Sequence, residues 1–272
     1  ACAGPQSFVE VMDWLLNDPE HGCYGSGQVQ FGPTGDFVTA PTQGAVFAEL
    51  LRRHLWASLE ALADQSGTLS LIEWGPGDGQ LLRDLIAGTT GEPPVWLDRL
   101  ELVLVESSSA LRERQQRTLA GLGLPVRWCT LQQLVADPRR GVILAHELLD
   151  ALPVQRFGFN KGAWHEWLVG IDEQCQPSWQ LGDRLPSVVL EQLERLGLPA
   201  DGGGRPEGWS SEWCPVVGPW LTQARECLTQ GWLLAIDYAM PASRYYAPSR
   251  DGGTLLACRQ QRTSSELLRD PG

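Results

Sequence analysis

The chain has 272 residues, 43% of them hydrophobic, enough to bury a sizeable core as one large domain or as a core with an insertion. Its 33 acidic side chains outnumber 21 basic ones, and the net charge of −12 argues against a long phosphate-backbone footprint, and so against nucleic acid as substrate. No apolar run approaches the ~18 residues of a spanning helix, and no basic stretch leads into an apolar one, so neither a membrane partner nor a targeting segment is expected. Seven cysteines without a Cys-x-x-Cys pair read as reduced thiols of a cytoplasmic protein, with no metal site.

In chain order, Phe8, Val11, Met12, Leu15 and Leu16 stand at helical spacing behind a Ser7 cap, with Glu10 as its capping-box partner. Asp18-Pro19 ends that helix, and residues 25–34 are rich in glycine and proline. Gly35-Asp36-Phe37-Val38-Thr39 then leads into an apolar helix over about residues 44–63. An aspartate and a threonine ahead of a helix fit plain capping as well as ligand binding.

The chain is organised around residues 69–87. Leu69, Leu71 and Ile72 predict a buried parallel strand that ends at Glu73; glycines follow at 75, 77 and 79, and Leu81, Leu82, Leu85 and Ile86 predict one buried helix face. A strand, a glycine turn and a helix can bring backbone N–H groups up to a nucleotide-like ligand, although a glycine turn with no ligand has the same appearance. Gln80 stands where a dinucleotide fingerprint needs glycine or alanine, which disfavours a nicotinamide oxidoreductase, and no Gly-Lys-Ser/Thr is present for a P-loop.

A second apolar run, from Glu101 to Glu106, ends in another carboxylate, whose two acceptor oxygens suit a pair of ribose hydroxyls. Residues 107–119 predict a serine-capped helix with its arginines outward, and Val126 to Cys129 and Val142 to Ala145 two further strands. Ligands of open parallel sheets bind beyond the carboxyl ends of the strands, so the tips carrying Glu73, Glu106 and Glu147 face one crevice. His146 fits a satisfied core histidine and Asp150 a simple cap, but Glu147, directly after a buried strand, needs a partner. A guanidinium, planar and permanently charged, is a suitable one.

Residues 154–169 predict a β-hairpin turning at Asn160-Lys161-Gly162. Residues 172–218 shift to proline, glycine and tryptophan with one helix near 187–196, and read as an inserted cap over the crevice. Trp209, Trp213 and, just beyond, Trp220 suit either the packing of a small cap or a peptide groove. A helix over 219–230 and a strand from Trp232 to Asp237 resume the core.

The Glu73-x-Gly75-x-Gly77-x-Gly79 run resembles motif I of the class I S-adenosylmethionine (SAM) methyltransferases, in which the glycines pass beneath the cofactor's amino-acid end and the strand-tip acid orients it. More specific is an ordered series: Gly4-Pro-Gln-Ser-Phe8, Asp18-Pro-Glu-His-Gly-Cys-Tyr24, Gly35-Asp-Phe-Val-Thr-Ala-Pro41, Glu73-Trp-Gly-Pro-Gly-Asp-Gly79, Val105-Glu-Ser107, His146-Glu-Leu-Leu-Asp-Ala-Leu-Pro-Val154, Ile236-Asp-Tyr238 and Gly253-Thr-Leu255. This series resembles the MidA family across almost the whole chain, departing from it at Cys23, Ala40 and His146.

The resemblance implies an α/β class I methyltransferase (Rossmann-like) fold, with N-terminal helices and the Gly-Asp-Phe loop over 1–65, a SAM-binding core over 66–158 and 219–272, and a cap over 159–218. The family normally continues past a segment like Leu267–Gly272 with a further strand and helix, so the sequence reads either as a fragment or as one that has lost that part, and the closing of the sheet stays open. The implied activity is SAM-dependent methylation of a protein, with arginine the favoured acceptor and a respiratory complex I-type subunit among the expected partners; a SAM-binding assembly factor with vestigial catalysis is the alternative. The implied cofactor shell is Gly35, Thr39, Glu73, Gly75, Pro76, Gly77, Asp78, Gly79, Glu106, Ser107, Leu131, Gln132 and His146, with Leu131 and Gln132 against the adenine. Because an arginine must lose a proton as its N–C bond forms, Glu147 is assigned to orient it and take that proton, assisted by Asp150 and Asp36.

Overall fold

The computed structural model describes residues 4–63, 66–89 and 92–269. A short strand, β1 (Gln6–Ser7), runs into α1 (Phe8–Asn17), where Ser7 and Glu10 form the predicted capping box. The second helix, α2 (Val46–Glu60), buries Leu51, Leu55 and Leu59 on one stripe. Next come β2 (Leu69–Trp74), α3 (Gln80–Ala87), β3 (Leu100–Val105), α4 (Ser109–Thr118), β4 (Val126–Cys129), α5 (Leu131–Ala136) and β5 (Arg139–His146). After an insertion, α7 (Val217–Glu226) leads into β10 (Leu228–Ile236).

These strands form one parallel sheet in the order β10-β5-β2-β3-β4, the open α/β arrangement of a class I methyltransferase core. Both faces are covered, so the strands read as near-continuous apolar runs. Leu69, Leu71, Leu102, Leu104, Val142 and Leu144 point to the layer with α2 and α3, and Ile72, Val103, Val105, Cys129 and Ile143 to the opposite layer with Leu134 of α5 and Ala224 of α7. The order in which strands are added reverses between β2 and β5, β3 and β4 lying to one side and β5 and β10 to the other, and the crevice opens there.

The insertion supplies β6 (Gln155–Asn160) and β7 (Ala163–Ile171), the predicted hairpin, then β8 (Pro177–Arg184), α6 (Ser187–Arg195) and β9 (Ser210–Trp213). Antiparallel pairing runs β1-β7-β6-β9, with β8 on β7. This second unit takes more chain than residues 159–218: β1 joins its sheet, Phe8 of α1 lies 5.1 Å from Trp179, and Tyr246 enters its aromatic core of Phe157, Phe159, Trp164 and Trp209. Trp209 is fully buried there, Trp213 donates to Gln155 and Trp220 packs 5.3 Å from Trp74, so the three tryptophans are packing residues and not an open groove. Two short elements close the described chain, α8 (Ala242–Tyr245) and a hairpin of β11 (Ala257–Arg259) and β12 (Arg262–Ser264). The six described cysteines are free.

Candidate cofactor and acceptor site

Four strands of the parallel sheet end at one cavity of about 600 Å³, a volume suited to a cofactor-sized ligand. Its floor is the turn after β2. Gly75, Gly77 and Gly79 have φ of +70°, +55° and +83°, so three alternate residues adopt left-handed backbone that a side chain would strain. Gly79 is the N-cap of α3 and bonds back to the Pro76 carbonyl, which makes it a hinge of the turn and leaves it off the cavity wall. Glu73, at the tip of β2, is buried against this turn, and its Oε2 has no hydrogen-bond partner. Burial, reinforced by Asp78, pushes its carboxyl up to about 8, so it carries its proton at neutral pH.

On one side of the turn, beyond β3, Glu106 is held in place: its Oε1 accepts from the Ser108 N–H at 2.8 Å and its Oε2 from Gln115 Nε2 at 3.0 Å. Burial raises its proton affinity while those two bonds work against the rise. Ser107, Thr130, Leu131 and Gln132 continue the wall from β3 to β4. The expectation that all the α4 arginines face outward is corrected. Arg112 donates to the Glu106 carbonyl, and Arg114 to the carbonyls of Val29, at 2.7 Å, and Gly27; only Arg117 is exposed.

On the other side, where β5 neighbours β10, stand His146, Glu147 and Asp150. The His146 ring lies 4.9 Å from Phe47, and burial lowers its proton affinity, so the 3.6 Å approach to Glu147 joins a neutral imidazole to a carboxyl group. Glu147 has φ +47°, unusual for a side chain of its size, while its N–H extends the ladder to the Ile236 carbonyl. Tyr238 donates to Glu147 Oε1 at 3.4 Å. Burial and the neighbouring Asp150 raise Glu147, and burial with Asp237 raises Asp150 to about 6. Asp237 anchors this corner, accepting the N–H groups of Leu149 at 2.7 Å and Asp150 at 3.3 Å. Among the described residues, no lysine or arginine forms an ion pair with Glu147, Asp150 or Asp237.

The cavity's roof comes from the N-terminal segment: Asn17, Tyr24, Gly25, Phe31, Phe37, Thr39, Pro41 and Thr42 line it, and no residue of 159–218 does. The insertion therefore does not supply the cover expected of it. Tyr24 stacks on Phe37 at 6.4 Å, and burial keeps its phenol protonated. Ser108 Oγ bonds the Gly25 carbonyl at 2.8 Å, so α4 fastens the roof through Ser108 and Arg114.

Asp36 is not where a catalytic assistant needs to be. Its Oδ2 accepts the Gln30 N–H at 3.0 Å and its Oδ1 the Gln260 N–H at 3.1 Å, which ties the roof loop to the β11–β12 turn outside the cavity wall. Gly35 lies off the wall too, packed so closely on Gln30 that a Cβ there would stand 2.3 Å from its carbonyl oxygen. The structure thus gathers Thr39, Glu73, Gly75, Pro76, Gly77, Asp78, Glu106, Ser107, Leu131, Gln132, His146, Glu147 and Asp150 around one space, without Gly35, Asp36 and Gly79.

Sequence reasoning missed Tyr24, Gln115 and Asp237 as site residues. Gln115 carries a signal, since it falls between Leu111 and Leu119 on the buried stripe of α4, a place where a polar residue needs a reason.

A family model described as "Putative S-adenosyl-L-methionine-dependent methyltransferase" matches residues 50–272. The Bos taurus mitochondrial protein arginine methyltransferase NDUFAF7 is 33% identical over 261 residues, 86% of this chain and 56% of that protein, and its Danio rerio counterpart is 33% identical over 199 residues, 63% and 44%. The chain spans about half the length of the curated relatives it matches. A Burkholderia thailandensis protein solved with S-adenosylhomocysteine bound superposes with a TM-score of 0.78 at 28% identity, covering 99% of this chain and 67% of that one. The chain belongs to the MidA-like family of S-adenosyl-L-methionine-dependent methyltransferases.

Proposed function

We propose that this protein transfers a methyl group from SAM to an arginine side chain of a protein substrate. The residues around the cavity suit the cofactor. The buried, unpartnered Glu73 Oε2 offers an acceptor to an α-ammonium group, the glycine turn admits close backbone approach, and Glu106 presents a carboxylate already fixed by Ser108 and Gln115 to a ribose edge. When bound, SAM supplies an electrophilic methyl on a sulfonium centre.

The observation that carries the acceptor class is the uncompensated acid corner of Glu147, Asp150 and Asp237 on the β5–β10 side of the turn, opposite Glu106. Unpaired carboxylates, with Glu147 and Asp237 half-buried, favour a cation, and a guanidinium can be held bidentately while keeping its charge. Proton transfer is the remaining task. As the guanidinium nitrogen bonds to carbon its proton passes to a carboxylate, and the raised proton affinities of Glu147 and Asp150 bring them nearer to the working pH of a general base than a free carboxylate would be. The alignment itself belongs to the rigid strand tips. The relatives' description as protein arginine methyltransferases supports the same acceptor, and a complex I-type subunit is the first candidate substrate.

The test is incubation with radiolabelled SAM and a lysate of the source organism lacking this protein, followed by hydrolysis of any labelled band. Recovery of methylarginine supports the proposal. Label on another amino acid refutes the acceptor, and S-adenosylhomocysteine binding without any labelled protein favours the assembly-factor alternative.

A further inference from the structure

We infer that Gln115 is a positioning residue for the cofactor, a single amide that sets the Glu106 carboxylate and the glycine turn relative to each other. Gln115 sits on α4 with no exposed surface and touches three parts of the sheet's crevice at once. Its Nε2 donates to the Gly77 carbonyl at 2.8 Å and to Glu106 Oε2 at 3.0 Å, and its Oε1 accepts from Trp128 Nε1 on β4 at 2.9 Å.

The Trp128 bond settles the amide's orientation. With Oε1 committed to an indole that can only donate, the NH₂ must face Gly77 and Glu106, and a flipped amide would set oxygen against two acceptors. Each NH₂ hydrogen then has its own acceptor. Glu106 is fixed from its other side by the Ser108 N–H, so its carboxylate plane is set by two donors on different residues before any ligand arrives. Gly77, whose φ of +55° already restricts the turn, is fixed by the same group. Preformed donors of this kind raise affinity by removing an ordering cost at binding.

The inference rests on the reading of Glu106 as the ribose acceptor. A residue that merely filled space between α4 and the sheet would affect folding and leave the titration of binding unmoved; a donor to Glu106 cannot. Glu106 is faced by the Ser107 and Ser108 N–H groups, by Gln115 and by the Arg112 guanidinium, which bonds its carbonyl. Removing Gln115 removes one of the bonds that favour the ionised form.

The experiment is calorimetric titration of the full chain with S-adenosylhomocysteine across pH, for wild type, Gln115→Leu, Gln115→Glu and Glu106→Gln, with thermal unfolding as the check on folding. Gln115→Leu should bind about tenfold or more weakly, the scale of one hydrogen bond to a charged group, and its loss of affinity on acidification should begin at higher pH than in wild type. In Gln115→Glu two carboxyls share the site; singly protonated, the pair restores the bond between positions 115 and 106, though not the second donation to the Gly77 carbonyl. Binding should therefore fall as pH rises through the pair's upper titration, an alkaline loss that wild type lacks once the common background of Glu73 and the ligand's ammonium is subtracted. A folded Gln115→Leu with wild-type affinity and pH profile overturns the inference; should that variant fail to fold, a Gln115→Glu profile parallel to wild type overturns it. If Glu106→Gln retains wild-type affinity and its acid limb, the ribose reading of Glu106 fails instead, whatever the Gln115 variants do.

Discussion

Replacing Glu73 by glutamine removes a carboxyl in the crevice whose proton the fold itself retains at neutral pH. Glu73 is 3% exposed, its Oε2 is unpartnered, and burial with Asp78 nearby raises it from the 4.5 of a free carboxyl to about 8. At about 1.4 kcal/mol for each tenfold change in proton affinity, that rise corresponds to at most about 5 kcal/mol, an upper bound because water entry and side-chain relaxation reduce the cost of ionisation. The unfolded chain gives up this proton near pH 4.5 and the native fold near pH 8. The protonated group's stabilising contribution is therefore complete below the first value and is lost as pH rises through the second. Glu73→Gln has nothing to lose. In urea unfolding followed by circular dichroism, the stability of Glu73→Gln relative to wild type should climb between those pH values and level off above them. The same proton must leave when an ammonium group arrives, so S-adenosylhomocysteine binding to wild type at neutral pH should release close to one proton, read from the dependence of the calorimetric heat on buffer ionisation enthalpy, and Glu73→Gln should release none from this site. Parallel stability curves for the two proteins across the interval would refute the reasoning.

Three further outcomes are expected. Glu147→Gln should leave S-adenosylhomocysteine affinity nearly unchanged while methyl transfer to a verified protein substrate falls about 10²-fold, the scale of a lost general base; parallel loss of binding would move Glu147 into the cofactor shell. Glu147→Gly should relieve the φ of +47° and the repulsion from Asp150, raising stability by about 1 kcal/mol in thermal unfolding even as transfer is lost; a lower melting temperature would show that the side chain supports the corner it strains. Asp36→Ala should free the roof loop from the turn at residue 260 and weaken S-adenosylhomocysteine binding several-fold, with the rate at saturating cofactor little altered; a large drop in that rate would return Asp36 to the chemistry.

The parallel core was legible because its signals are local. Val126–Cys129 was read to the residue, and the run from Leu69 through Gly79 into α3 needed only apolar periodicity and the glycines. β5 begins three residues before the apolar run that betrayed it, because Arg139 and Arg140 pair through their backbones with β10 while their side chains stay polar. β8 escaped because it starts at Pro177, contains Gly182 and lies at a sheet edge, where polar residues are tolerated. Asp36 resembled a site residue because it stands in a loop beside a helix start; one of its two partners, Gln30, is local, but the other, Gln260, lies 224 positions away, beyond the reach of any local pattern. The inward turn of Arg114 has the same cause, since it is fixed by the Val29 carbonyl 85 positions away, whereas Arg112 turns in to the Glu106 carbonyl only six residues before it.

The fastening of the roof also sets when in its synthesis the protein can first hold a ligand. The glycine turn is complete once residue 79 has left the ribosome, yet the roof's anchors arrive later: Ser108 and Arg114 bond carbonyls 83 and 85 residues upstream, and the Gln260 bond to Asp36 must wait a further 146 residues after Arg114. Contacts of such long sequence separation close after local structure has formed. A nascent chain can therefore carry a folded parallel sheet and still lack a closed site, and a ligand present during synthesis stabilises by mass action chiefly the state whose roof is fastened. Cofactor affinity is thus sensitive to contacts that close late, and a chain arrested before residue 260 should show its helices and strands while binding S-adenosylhomocysteine several-fold more weakly.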